Sequence, residues 1–345
     1  MIPESKKSAV ARALNETFGV SEPDEIRMLS ASNFTSALVF RIVVQARPYL
    51  LRVITRTDVH ADPTRQFLCM KIAADAGLSP RIRYTNVEDR VSIIDFVEAR
   101  PLPIAQAVIP IATTLKAMHA LPPFPKLIND FDTAPTFLLR SSPLRDGFFQ
   151  KFQAAKILPE SEASELFRLH ERLRTVYPFP DSDLVSSHND LKPPNMVFDG
   201  QQLWLIDWEA AFLNDRYNDI AVMANFVVAN DADEDKYVRA YFGEDAGEYR
   251  TARFYLMRQL VHMFYAMVYT QIGTAGKPVD AAAPVPDFRD FHNRIWTGEV
   301  TLDSPEAKVQ FGRVHMKQLL QNAQTQRFEE AIRFATENSR GATIS

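Results

Sequence analysis

A chain of 345 residues, 46% apolar and 24% charged, is long enough for two lobes or domains with a sizeable core. A net charge of −4 leaves no broad basic surface, which argues against nucleic acid or an anionic membrane as partner. The single cysteine, Cys69, excludes an internal disulfide; with no signal-like N-terminus and no apolar run of about 18 residues, a soluble cytoplasmic protein is expected.

Residues 4–18 read as an amphipathic helix with Val10, Leu14 and Phe18 on one face and Gly19 as its stop. Three short apolar runs follow, at 26–29, 38–44 and 49–54, the pattern of a strand meander with a turn at 45–48. The stretch 30–36 between the first two runs is small and polar, and it lacks the glycines that let a backbone approach phosphates closely. Arg52 sits inside the third run between Leu51 and Val53, so it needs a partner. A helix over 63–76, with Gly77 as its cap, carries Gln66; strands at 82–84 and 91–94 then lead into Asp95-Phe96-Val97-Glu98. Beyond this point helices dominate, at 104–120, 146–157 and 160–176, with a proline- and phenylalanine-rich loop over 121–144.

The most informative stretch begins at His188-Asn189-Asp190-Leu191-Lys192-Pro193-Pro194-Asn195. Two apolar runs around Asp199-Gly200 then signal a β-hairpin, and Asp207-Trp208-Glu209 closes it. A hairpin brings its outer ends together, so Asp190, Asn195, Asp207 and Glu209 can converge. Phosphoryl transfer needs such a cluster, because a base must orient a hydroxyl and hard oxygen ligands must hold Mg²⁺. A second acidic set, Asp215 and Asp219, opens a buried helix over 219–229. In a long aromatic helix over 248–272, Phe254, Met257, Val261, Phe264 and Val268 form a core stripe, while Tyr255, His262 and Tyr269 repeat at seven with polar tips. A loop over 273–287 and two amphipathic helices, 304–322 and 325–338, complete the chain.

His188, Asp190 and Asn195 at this spacing, followed by Asp207-Trp208-Glu209, resemble the catalytic core of the protein-kinase-like phosphotransferases. The Asp-aromatic-Glu ending is similar to the small-molecule branch, the aminoglycoside phosphotransferases and, more closely, the choline/ethanolamine kinases. The resemblance implies an α+β, bilobal fold. Residues 1–97 would form a nucleotide-binding lobe, an antiparallel sheet with one main helix, and 98–345 a larger, mostly helical catalytic lobe. It further implies ATP, Mg²⁺ and a small-molecule hydroxyl acceptor. In these terms Asp190 takes the hydroxyl proton, His188 opens its loop and Lys192 touches the γ-phosphate. Asn195 and Asp207 ligate the metal, with Glu209 as a further ligand.

Arg52 would hold phosphate oxygens, and Gln66 stands where the family's ion-pairing glutamate is expected; an amide can hydrogen-bond a guanidinium but cannot neutralise it. Ser32 and Asn33 fall in the nucleotide-loop position, and Asp95, Phe96 and Val97 where the adenine edge is read. Asp219 would brace the catalytic loop, with Asp215 more open. Asp215, Tyr255, His262, Tyr265 and Tyr269 are the acceptor-side candidates, since aromatic faces suit a quaternary cation. A choline- or ethanolamine-like acceptor leads. An antibiotic phosphotransferase stays open, as does a nucleotide-binding regulatory pseudokinase, which the glycine-free loop and Gln66 favour. A homodimer is also left open.

Overall fold

Apolar residues at alternate positions place one face of a strand in the core: Phe40, Ile42 and Val44 are buried while Arg41 and Val43 are not. The structure, a computed structural model, describes residues 2–30, 37–58, 61–126, 134–139, 142–178 and 183–341. Ser32 and Asn33, expected to meet the nucleotide, lie outside the described residues. The chain divides into two compact units, residues 1–101 with 194–211, and residues 102–193 with 212–345.

The first unit opens with helix α1, Glu4–Phe18, which ends at Gly19 in the left-handed conformation. Strands β1 Glu25–Ser30, β2 Ala37–Val44 and β3 Arg47–Ile54 follow, then helix α2 Thr64–Asp75 and strands β4 Ile82–Asn86 and β5 Val91–Asp95. The five strands form one antiparallel sheet in the order β1-β2-β3-β5-β4. Gln45 and Ala46 both take positive φ between β2 and β3, as the favoured two-residue hairpin turns require. Helix α1 sets Ala9, Val10, Ala13 and Leu14 into a core shared with Phe40, Leu51 and Ile93 of the sheet.

The second unit starts with α3 Ile104–His119, α4 Pro143–Ala154, α5 Glu160–Val176 and strand β6 Leu184–Ser187. Helix α4 begins earlier than the periodicity suggests, because Ser142 caps it through the N–H of Arg145 and Pro143 fits its first turn. The expected hairpin is present as β7 Met196–Phe198 and β8 Leu203–Leu205. It belongs to the first unit, fastened by Leu205 N–H donating to the Leu78 carbonyl (2.8 Å) and Trp208 Nε1 to Ser79 Oγ (3.1 Å). A single boundary after residue 97 is therefore replaced by three crossings of the chain.

Strand β9 Phe212–Asp215 pairs with β6 in the second unit, a pairing too short and too distant in sequence to be read from pattern. Helices α6 Arg216–Val227, α7 Asp231–Phe242, α8 Glu248–Thr274, α9 Phe288–Trp296, α10 Pro305–Asn322 and α11 Gln326–Gly341 complete it. Helices α7 and α9 were not anticipated from periodicity. Their caps were the available signal: Asn230 accepts from Asp233 N–H, and Asp287 from the N–H groups of Arg289 and Asp290.

Candidate active site

Asp190 is held from below. Its loop leaves β6 through His188 and Asn189, and Asn189 adopts φ 65, a left-handed conformation that asparagine tolerates better than most residues. Asp219, fully buried in the first turn of α6, accepts from the backbone N–H of His188 at 2.8 Å and of Asn189 at 3.0 Å. Burial alone would raise its pKa. The hydrogen bond and charge of His119, joined by those of His188, outweigh burial and hold the carboxyl below the ordinary carboxylate range. His119 is in turn fixed by Tyr241 (Nδ1 to Oη, 2.5 Å), so the end of α3 and helix α7 both secure the brace.

The Asn189 side chain forms a second anchor. Asn214 Nδ2 donates to Asn189 Oδ1 at 2.7 Å, and Thr136 Oγ1 donates to Asn214 Oδ1 at 2.9 Å. Thr136 carried no signal in the sequence, since it lies in the stretch read as loop. Above these anchors Lys192 Nζ donates to Asp190 Oδ2 at 2.7 Å, with both side chains more than a third exposed. This places the Asp190 carboxylate at the solvent-facing edge of its loop, beside an ammonium.

Tyr265 and Tyr269 of α8 lie within reach of that charge. Burial raises the pKa of the Tyr265 hydroxyl first, and the charges of Asp190 and Asp219 add to it. Tyr269 is raised to about 12, by burial and then by Asp190, against a lowering contribution from Lys192. Their rings meet Phe311 of α10 at 5.3 and 4.7 Å, a third aromatic that the sequence did not single out. Tyr255 and His262, grouped with them in the sequence reading, line a separate cavity with Arg258 and Arg327.

Asp215, expected to be the more open of the two acids, is as buried as Asp219. It caps α6 through the N–H of Tyr217, accepts from Tyr177 and pairs with Arg253, while burial pushes its pKa up to about 6. It is a buried helix cap.

In the first unit, Arg52 reaches from β3 to the residues that follow the hairpin. Its Nη1 donates to Asp207 Oδ1 at 2.6 Å and its Nη2 to Glu209 Oε2 at 2.7 Å, with the Arg52 side chain 11% exposed. Burial opposes the charge, but the two carboxylates more than compensate and raise its pKa. Gln66 is buried on α2, and among the described residues no hydrogen bond joins it to Arg52. The α2 residue that reaches this corner is instead Arg65, donating to the Glu209 backbone carbonyl at 3.0 Å. Asp207 takes φ 66, and Ile206 N–H donates to the Asn195 carbonyl at 3.0 Å, tying both ends of the hairpin together.

Asn195, Asp207 and Glu209 make an all-oxygen donor set, the kind Mg²⁺ prefers. The two carboxylates already converge on one cationic group, the Arg52 guanidinium, so they fit a cation that needs two negative oxygens. Among the described residues no cluster of three His, Cys, Asp or Glu forms a metal site, and the amide of Asn195 is therefore part of the fit. Asp95 ends β5 with its carboxylate on Arg83 (2.6 and 3.0 Å) and its N–H on the Arg81 carbonyl, while Phe96 lies under Arg41.

The model of the phosphotransferase enzyme family matches residues 31–255, well over half of the chain. Among solved structures, a choline/ethanolamine kinase family protein from Mesorhizobium loti superposes with a TM-score of 0.62 at 16% identity, covering 96% of this chain and 99% of that one. A choline kinase from Streptococcus pneumoniae gives 0.55 at 16% identity, covering 90% and 99%. A spectinomycin phosphotransferase in complex with ADP and spectinomycin gives 0.52 at 12%, covering 89% and 98%. No curated protein matches the chain in sequence. The fold is that of the protein-kinase-like phosphotransferases.

Proposed function

The chain belongs to the phosphotransferase enzyme family, and from that premise we propose that it moves the γ-phosphate of ATP to a hydroxyl of a small amino alcohol of the choline or ethanolamine type. The observation that carries the choice of acceptor is the pair Tyr265 and Tyr269, which feel the charge of Asp190 and pack against Phe311. Aromatic faces attract an ammonium group, and a carboxylate next to them takes the hydroxyl that the same molecule carries. Asp190 orients that hydroxyl and accepts its proton late, since a loose phosphoryl transfer leaves little for a base to do early. Lys192 pairs with Asp190 and, as an exposed ammonium, is suited to an incoming phosphate. Arg52, with its two-pronged guanidinium, is suited to phosphate oxygens once it parts from Asp207 and Glu209. Asn195, Asp207 and Glu209 would hold Mg²⁺, which when bound neutralises phosphate charge.

The test is acceptor-dependent ADP release from Mg-ATP across choline, ethanolamine, related amino alcohols, aminoglycosides, macrolides and sugars. Turnover confined to the amino alcohols supports the proposal. Turnover with an antibiotic keeps the chemistry and overturns the acceptor. ATP binding with no turnover on any acceptor would make the chain a nucleotide-binding regulator.

A further inference from the structure

Helix α6 starts beneath the catalytic loop and runs away from it. Its 12 residues rise about 18 Å, which places its far end, Asn225–Val228, well clear of Asp190. At that end lies a cavity of about 260 Å³, on which the first turns of α7, α9 and α11 converge. Each helix start adds roughly half a positive charge. Three arginines line the same space, Arg258 from α8, Arg289 from α9 and Arg327 from α11.

The interior carboxylate is Glu234, buried on α7, and two of the arginines share it. Arg258 Nη1 takes its Oε2 at 2.9 Å, and Arg327 Nη2 takes its Oε1. Arg289 has no carboxylate within ion-pair distance among the described residues; its guanidinium donates to the carbonyls of Asn225, Phe226 and Val228 and so caps α6. The cavity's other two carboxylates are exposed at its rim, where Asp231 lies 3.5 Å from Arg327 and Asp287 caps α9. One buried negative charge thus faces three guanidinium groups and three helix starts. The imbalance is felt: burial and then the charge of Arg258 bring Arg289 down to about 10.

Donors are left over for a guest. Arg258 spends Nε on Asn225 and Nη1 on Glu234, and its Nη2 has no protein partner among the described residues. His262, whose Nδ1 bonds His315 Nδ1 at 2.8 Å, lines the same cavity. We propose that this cavity is a binding site for a small molecule bearing an oxyanion, a phosphate or a carboxylate, distinct from the catalytic loop. Arg258 and Arg327 would grip the oxyanion in competition with Glu234, the carboxylate they share. The site does not depend on which acceptor the enzyme phosphorylates.

The test is the melting temperature of the full chain titrated with inorganic phosphate or with acetate, against chloride at equal ionic strength, because a ligand of the folded state raises it in proportion to affinity and concentration. A rise with phosphate alone identifies a phosphorylated ligand, and a rise with acetate alone a carboxylate. Arg327→Gln, at a half-exposed position, is expected to weaken binding about tenfold, the worth of one charge-assisted hydrogen bond. Glu234→Gln removes the competing negative charge and is expected to tighten it, a sign that damage to the fold would not produce. Arg52→Gln should leave it unchanged. No rise above chloride with either anion overturns the proposal. So does a rise that follows Arg52 and ignores Arg327 and Glu234.

Discussion

At the residue scale, Asp190 and Asp219 divide one task. Asp190 is the proposed base, and its replacement by Asn keeps size and hydrogen bonding but removes the carboxylate. Turnover should fall by about 10²–10⁴, the usual worth of a positioned acid or base, while nucleotide affinity stays within a few-fold. Single-turnover kinetics beside a nucleotide titration would decide it, and retained turnover would remove Asp190 from its role. Asp219 acts through the backbone, accepting from two consecutive N–H groups and from His119. Asp219→Ala leaves those donors buried without an acceptor, and breaking a buried charged network costs about 3–5 kcal/mol. Chemical denaturation should register that loss, together with lost turnover. A variant as stable as the parent would show that the loop is held by Asn189 and Asn214 instead.

At the element scale, two long helices depend on two small residues. Where α8 crosses α10, a Cβ on Gly312 would lie 2.7 Å from Thr270 Cγ2 and 2.8 Å from its backbone nitrogen. One on Gly273 would lie 2.7 Å from the Pro305 carbonyl. The helices therefore touch backbone to backbone, and this crossing positions Tyr265, Tyr269 and Phe311. Gly312→Ala gains helix propensity but forces the helices apart, with a net cost of about 1–3 kcal/mol. Thermal unfolding should show the loss, accompanied by a raised KM for the acceptor. A stabilised variant would mean that the crossing yields without strain.

At the scale of the molecule, the second unit carries a buried trio of histidines, with the rings of His262 and His292 each 5.0 Å from that of His315. Burial keeps each neutral, reinforced by the charges of Arg258 and Arg289 and of one another, and His292 is lowered to about 3. The unfolded chain takes up protons near the ordinary value of about 6.5 while the folded chain does not. The folded pKa is depressed, so the contribution is complete above that value and drains away as pH falls towards 3. The limit is about 1.4 kcal/mol per pH unit for each histidine. Urea unfolding at pH 7.5, 6.5 and 5.5 should show a steep decline, and His292→Gln should make it shallower. An identical slope in the variant would locate the acid sensitivity elsewhere. Among the described residues no helix is long and apolar enough to cross a membrane.

What the sequence determined by itself is what is encoded over a few consecutive residues. Alternation in 38–44 and 49–54 specified two central strands, Asp199-Gly200 specified the hairpin, and the spacing of His188, Asp190, Asn195 and Asp207 announced phosphoryl-transfer chemistry. Such patterns are legible because φ, ψ and the side-chain period are local properties. Only the tertiary structure decided which charges meet. The partners of Arg52 are Asp207 and Glu209, 155 and 157 positions away, and Gln66 is not among them. Asp219, expected beneath the catalytic loop, accepts from its N–H groups, but Asp215, expected to be open, is buried and caps a helix against Arg253. The arginine-lined cavity is assembled from the ends of separate helices. No local pattern foretells such sites, since burial and the distance between remote residues fix both the energy of a charge and the partner it finds.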